Sequence, residues 1–228
     1  MSPPGRPKDE YRSARHEGTA VSHADQSARA LALGTSTLYE ASGLPCAVDP
    51  AIRAVWVGAA VAAPAYPVRC SPGDNLAIHL AVERAPRGSV LVVTADDFVA
   101  GYWGEVLTVA AEAAGIVGLV IDGGVRDVAA MTRRRFPVFS RGISVRGTIK
   151  ASAPSVGQPI LMAGVPIAAG DWVVADDDGV VVIPSARIGG VLAAGEARAQ
   201  KEADFMARLA RGESTVDLLG LSAWRTRA

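Results

Sequence analysis

The chain has 228 residues, 50% of them apolar, with 23 Lys and Arg balanced by 23 Asp and Glu. That length makes one sizeable domain with a proper core, or one domain with tails. Balanced charge without a basic stripe argues against a binder that works by neutralising nucleic-acid phosphates. Two cysteines, Cys46 and Cys70, build no disulfide framework and fit a reducing cytosol. The first residues carry no apolar leader, and apolar stretches such as 106–121 are interrupted by polar positions, so a cytoplasmic protein without a membrane span is expected.

Residues 1–22 are rich in Pro and charge and read as a flexible N-terminal tail or a strap onto a neighbouring subunit. A helix is expected over Ala24–Leu33. The hydroxyls of Gly34-Thr35-Ser36-Thr37 then suit a cap for a second short helix, Leu38–Ser42. Trp56–Ala62 and Tyr66–Arg69 read as strands broken by Pro64, and Pro72-Gly73-Asp74 as a turn opening the helix Asn75–Arg84. The middle is more regular. A buried strand Ser89–Thr94, a loop Ala95–Tyr102 and an Ala-rich helix from Trp103 to Ala114, ended by Gly115, come first. A strand Ile116–Ile121, a turn Asp122-Gly123-Gly124, a helix Asp127–Arg134 and a short strand Val138–Ser140 follow. This alternation predicts a parallel sheet with right-handed crossovers. Pro159–Met162, Val165–Ile167, Trp172–Ala175 and Val180–Ile183 read as short strands joined by hairpin turns. A long charged helix then starts at Ser185 or Ala186 and runs to Ala210–Gly212, leaving 213–228 as a C-terminal tail; residues 23–212 form the single expected domain.

In such βαβ units ligands lie where strands end and helices begin, at one edge of the sheet. That edge gathers Gly104-Glu105 and Arg126-Asp127, with twenty residues between Glu105 and Arg126. Free amides around Gly104–Leu107 make an anion site. Arg126 grips a carboxylate or keto acid through paired hydrogen bonds. Asp127 and Glu105 are hard oxygen ligands for Mg²⁺ or Mn²⁺. Each residue also has a plainer role open to it: Asp127 as a helix N-cap, Arg126 paired with Asp122, and Glu105 as first-turn dipole chemistry. The triple aspartate Asp176–Asp178 reads as a solvated hairpin rather than a metal loop. His16, His23 and His79 lack zinc-site spacing, and His79 reads as a helix-face residue. No Gly-x-Ser-x-Gly elbow and no Gly-x-x-x-x-Gly-Lys phosphate loop occurs.

Several stretches occur in order. They are Gly73-Asp74-Asn75, Trp103-Gly104-Glu105, Val120-Ile121-Asp122-Gly123-Gly124-Val125-Arg126-Asp127, Pro137-Val138-Phe139 and Gly170-Asp171-Trp172-Val173-Val174-Ala175-Asp176, continuing through Gly179-Val180-Val181-Val182-Ile183-Pro184. Over residues 30–205 they resemble the RraA-like family, which includes class II pyruvate aldolases for 4-hydroxy-4-methyl-2-oxoglutarate and 4-carboxy-4-hydroxy-2-oxoadipate. The resemblance implies a swivelling-type α/β/β/α sandwich with a central, mostly parallel sheet and a long C-terminal helix. It implies a homotrimer or dimer of trimers with active sites between subunits. It further implies that Asp127 holds Mg²⁺ or Mn²⁺, that Glu105 touches the ion's water shell, and that Arg126 and the backbone of Gly104, Glu105, Val106 and Leu107 bind the pyruvoyl moiety. An acidic residue on the neighbouring subunit's C-terminal helix is matched by Glu202, with Glu196 as the alternative. The family's other branch binds and inhibits a ribonuclease and its helicases.

The chemistry expected is cleavage of a 4-hydroxy-2-oxo acid to pyruvate and a second oxo acid, with oxaloacetate decarboxylation through the same enolate. A Schiff-base aldolase is the rival enzyme, with Lys150 as its candidate amine. Arg53, Arg69, Arg141 and Arg146 are candidate partners for further substrate carboxylates, or solvated surface charges.

Overall fold

Apolar residues occupy both faces of the central strands, so the sheet has to be covered on both sides. The computed structural model describes residues 22–152 and 155–225, and all but Ser22 of the tail expected over 1–22 lies outside them. In chain order the elements are α1 (His23–Ser42), β1 (Arg53–Ala54), β2 (Val61–Arg69), α2 (Leu76–Arg84), β3 (Val90–Thr94), β4 (Gly101–Trp103), α3 (Glu105–Ala114), β5 (Gly118–Val125), α4 (Val128–Arg134) and β6 (Val138–Ile143). Next come β7 (Ser155–Val156), β8 (Ile160–Met162), β9 (Val165–Ile167), β10 (Trp172–Asp176), β11 (Gly179–Ile183), α5 (Ile188–Ala210) and α6 (Thr215–Leu218). Tight 3₁₀ turns stand at Ser185–Arg187 and Ser222–Trp224.

One sheet runs β1–β6–β5–β3–β2–β10–β11, and β8 and β9 form a separate hairpin. β2, β3, β5 and β6 are parallel neighbours, while β10 and β11 add antiparallel strands beyond β2. The two edges nearly meet. Val48 N donates to Val180 O and Val182 N to Cys46 O, each at 2.9 Å, and β1, a few residues on, pairs with β6. The result is close to a barrel, with three apolar cores set by strand alternation. Leu91, Val93, Leu119 and Ile121 face α2, α3 and α4. Val90, Val92, Val120 and Phe139 face inward, onto Val173, Ala175, Val180, Val182 and the β8–β9 hairpin. Trp172, Val174, Val181 and Ile183 face α1 and α5. These are the α/β/β/α layers expected, with the mostly parallel sheet and the long last helix. No helix of the described residues is long and apolar enough to cross a membrane.

Three local expectations need correction. Pro64 does not break a strand: β2 runs through Pro64 and Pro67, and residues 56–60 stay outside it. Along 61–64 the strand is paired on one side only, by β10, so a residue without N–H is tolerated there. At about 1.5–3 kcal/mol per fully buried Val, Leu or Ile, the alternating cores outweigh the low strand propensity of proline and glycine. Secondly, Asp122-Gly123-Gly124 is not a turn but the middle of β5, where Gly124 pairs with Gly142 of β6. A Cβ on Gly124 would stand 2.5 Å from Ala100 O, so only glycine admits that approach. Thirdly, the end of the expected loop Ala95–Tyr102 and the first expected helical residue, Trp103, form β4. α1 does carry the expected break between two helices, at Gly34 (φ 75°, ψ 165°), where the backbone leaves helical geometry. Its second half is capped from outside: Thr35 N and Thr35 Oγ1 donate to Asp176 at 2.8 and 2.6 Å, and Ser36 Oγ donates to Asp178 at 3.1 Å. The aspartate turn is therefore a cap, docking α1 on the β10–β11 hairpin.

Asp176→Ala is expected to lower stability by about 0.5–2 kcal/mol, the cost of a lost N-cap, in urea unfolding followed by circular dichroism.

Candidate active site

β4 and β5 lie parallel, so they end at one edge and deliver the starts of α3 and α4 side by side. Arg126 N donates to Trp103 O at 2.8 Å, tying the two connections together. Asp127 stands at the N-cap position of α4 in a left-handed conformation (φ 59°, ψ 38°), yet its carboxylate does not cap that helix. It turns across and accepts from Glu105 N at 3.0 Å, so it caps α3 instead. Arg126 Nε lies 3.9 Å from the same oxygen, Asp127 Oδ2. Two glycines make this possible. A Cβ on Gly104 would collide with the Asp127 carboxylate, and one on Gly101 would stand 3.1 Å from Arg126 Cδ. Behind them Trp103 is fully buried, stacked on Phe136 with centroids 5.9 Å apart. Trp103 Nε1 donates to Thr108 Oγ1 at 2.8 Å, and that hydroxyl donates to Gly104 O at 3.0 Å. The start of α3 is thereby fixed from below.

A cavity of about 360 Å³ opens at this edge. Gly104, Val106, Leu107, Arg126 and Asp127 form one wall, and Asn75, His79, Thr148 and Lys150 face them. The amides of Val106 and Leu107 have no partner among the described residues, so they remain free for an anion.

The second wall rests on Asp74. Its carboxylate accepts from Leu76 N (2.8 Å), Ala151 N (2.6 Å) and Ser152 N (2.7 Å). Asn75 N donates to Ile149 O at 3.0 Å and Ile149 N to Gly73 O at 2.9 Å, so α2 and the segment carrying Lys150 move as one. Burial pushes the Asp74 carboxyl up, but the three amides outweigh it and hold it at about 2. Asn75 Nδ2 donates to Tyr102 O at 2.9 Å, while its buried Oδ1 has no partner among the described residues. Burial, and then the Lys150 ammonium, push the His79 imidazole below its ordinary range.

The structure brings together Arg126, Asp127 and the Gly104–Leu107 backbone. The Glu105 amide meets Asp127, whereas the Glu105 carboxylate lies 3.6 Å from Arg134 and is not on the cavity wall. Glu202 and Glu196 sit on α5, paired with Arg198 (2.8 Å) and Arg29 (2.7 Å), and α5 packs on α1 in the opposite outer layer. Asp122, the plainer partner for Arg126, is held by Arg141 together with Asp49. Arg69 pairs with Asp96 at 3.7 Å, and Arg146 lies over the Phe98 ring at 4.6 Å. Asn75 and Thr148 were not singled out by sequence. Asn75 and His79 are four residues apart and share a helical face, which is the signal that points to them. Nothing local in sequence links Lys150 to that face.

As for a metal, the described residues gather no group of three His, Cys, Asp or Glu side chains. Asp127 is the one carboxylate lining the cavity, and its Oδ1 has no partner among the described residues. That donor set suits an ion that keeps most of its water, as Mg²⁺ does with one or two carboxylates.

Fold and cavity together define an α/β/β/α protein with a polar pocket where α3 and α4 begin. The RraA-like profile, described as Aldolase/RraA, matches residues 35–182, and the chain belongs to that family. It is 38% identical over 149 residues to a Halalkalibacterium halodurans protein provisionally named 4-hydroxy-4-methyl-2-oxoglutarate aldolase, covering 65% of this chain and 70% of that one. A Burkholderia multivorans protein with the same provisional name is 33% identical over 143 residues, 62% of this chain and 87% of its own. Among solved structures, a Streptomyces coelicolor protein described as an unusual member of the RNase ES inhibitor RraA protein family superposes with a TM-score of 0.68. It is 26% identical, over 78% of this chain and 93% of that one.

Asp74 gives a pH test. Its folded pKa is lowered from 3.8 to about 2, so its contribution is complete above the unfolded value and is lost as pH falls through the folded one. At neutral pH Asp74→Asn is expected to unfold more easily by about 1–3 kcal/mol, the cost of leaving buried groups unsatisfied. In urea titrations the gap to the parent should narrow as pH falls from 3.8 to about 2.

Proposed function

We propose that this chain is a divalent-metal-dependent aldolase that cleaves a 4-hydroxy-2-oxo acid, of the 4-hydroxy-4-methyl-2-oxoglutarate or 4-carboxy-4-hydroxy-2-oxoadipate type, to pyruvate and a second oxo acid. The observation that carries this reading is one cavity lined by Arg126, Asp127, Lys150 and the free amides of Val106 and Leu107. The provisional aldolase names of two relatives support it.

The substrate carboxylate accepts from the Val106 and Leu107 amides at the positive end of α3. The Arg126 guanidinium lies against the 2-oxo group, where negative charge grows as the C3–C4 bond breaks. A Mg²⁺ or Mn²⁺ ion held by Asp127 supplies Lewis acidity at that oxygen when bound. Because Asp127 also accepts from Glu105 N, the anion site and the ion site are fixed relative to each other. For the Glu105 carboxylate to touch the ion's water shell it would have to leave Arg134, 3.6 Å away, and turn to the cavity. In a homotrimer or dimer of trimers Glu202 reaches the cavity from a neighbouring copy. Oxaloacetate, which gives the same pyruvate enolate on losing CO₂, is decarboxylated as a side reaction.

Two rival readings have observations of their own. Lys150 lines the cavity, as a Schiff-base lysine must. The Streptomyces neighbour, of an RNase-inhibitor family, favours a ribonuclease inhibitor, with a helicase as the further target of that reading. Pyruvate release, coupled to lactate dehydrogenase over a panel of 4-hydroxy-2-oxo acids and oxaloacetate, tests all three. The metal-dependent aldolase is silenced by EDTA and restored by Mg²⁺ or Mn²⁺. Arg126→Ala and Asp127→Ala should each lower turnover at least about 100-fold, with circular dichroism unchanged. Turnover that survives EDTA but is trapped by borohydride with pyruvate selects Lys150. No pyruvate from any substrate, with partner inhibition intact in Arg126→Ala, selects the inhibitor.

A further inference from the structure

Cleaving the C3–C4 bond requires a base for the C4 hydroxyl, and the wall bearing Arg126 and Asp127 offers none. Arg126 is a permanent cation, and Asp127 is engaged by Glu105 N and reserved for the ion. The opposite wall does offer one. His79 projects from α2 on the same face as Asn75, one turn on, and both line the cavity. Its backbone N–H is used within the helix start, donating to Asn75 O at 3.4 Å, but its imidazole has no partner among the described residues. A half-buried imidazole beside Lys150, facing Arg126 and the free carboxylate edge of Asp127 across a ligand-sized space, is in reach of a bound hydroxyl.

We propose that His79 is the base that takes the C4-hydroxyl proton. This rests on the aldolase reading above. In the forward step an imidazole nitrogen accepts the proton and the O–H electron pair becomes the second bond of the new C4 carbonyl. The C3–C4 pair stays on C3 as the pyruvate enolate, whose oxygen lies beside Arg126. The imidazolium then returns its proton to C3, so pyruvate leaves and the neutral imidazole is restored. Atoms and charge balance without an oxidant or reductant.

The surroundings keep His79 ready for this. Burial and the Lys150 ammonium both disfavour the imidazolium and so favour the neutral, proton-accepting ring. Arg126 and Asp127 face it across the cavity. α3 turns Val106 and Leu107 to the cavity, β7 carries Ser155 and Val156, and Arg69 at the end of β2 is paired with Asp96. Glu83 follows one turn further along α2.

The two reactions of the site separate this role from a structural one, because oxaloacetate has no C4 hydroxyl to deprotonate. In His79→Gln, 4-hydroxy-4-methyl-2-oxoglutarate cleavage should fall by about 10²–10⁴-fold, the range for a lost general base. Oxaloacetate decarboxylation by the same preparation should fall less than about tenfold. In the parent, cleavage kcat/KM should drop as acid protonates the ring, with an acid limb that decarboxylation lacks. Equal loss of both reactions, unimpaired cleavage, or identical pH profiles for both in the parent overturns the proposal. A parent that releases pyruvate from neither substrate overturns the aldolase reading itself. Should His79→Gln fold poorly, His79→Asn and the parent's two pH profiles decide on the same terms.

Discussion

The contact from Glu105 N to the Asp127 carboxylate, 3.0 Å long, fixes most of the rest. It is a helix cap in trans: a residue at the start of one helix satisfies the first amide of its neighbour. Because the carboxylate is spent on α3, it faces the cavity rather than its own helix. The same bond forbids a side chain at position 104 and draws the Arg126 stem over Gly101 and Gly104. The positive end of α3 thus meets a guanidinium and a carboxylate from the next βα turn, Arg126 and Asp127, within a few ångströms of sheet edge. The helix dipole partly offsets the closeness of Asp127 to the anion it would otherwise repel.

The barrel-like sheet explains why that edge is rigid. β2 belongs to both halves: Val61, Ala63 and Ala65 enter the inner core, while Val68 enters the core beneath α2 and α3. Its proline-containing stretch is where the partner changes from β10 to β3. A distortion at the hairpin end is therefore carried through one continuous strand to the parallel half. The segment 46–54, bridging β11 to β6, closes the other side. Closed sheets have few free edges to slip, and a slip of one residue would turn Val120 and Asp122 from the inner face to the helix face.

Legibility in the sequence followed the range of the interactions. Alternating apolar runs and glycine stops revealed the parallel βα units and the hairpins, because those signals are local. The edge that collects residues 104–107, 126 and 127 was legible because topology alone puts consecutive βα turns together. What lay outside sequence reading was long-range. Pro64 reads as a breaker until its single-sided pairing is known. Asp122-Gly123-Gly124 reads as a turn until the neighbouring backbone at Ala100 is seen to need those glycines. The wall made by Asn75, His79, Thr148 and Lys150 depends on Asp74 binding amides at 151 and 152, about seventy-five residues away in the chain. No periodicity carries that information.

The cavity is thus built from two unlike halves. One is stiff, made of helix starts buttressed by the buried Trp103–Thr108–Gly104 chain of hydrogen bonds. The other is a loop segment held to α2 by a single carboxylate and two backbone bonds. The stiff half bears Arg126 and Asp127, and on the aldolase reading positional error there costs most in stabilising a developing oxyanion. The strapped half bears the groups that hydrogen-bond or exchange protons, for which small rearrangements are tolerable. On the aldolase reading proposed above, the strapped half would meet the part of a substrate beyond C4 while the stiff half holds the three-carbon end. On that reading, differences in substrate within the fold would be sought in residues 147–152 and along the cavity face of α2, not at the sheet edge.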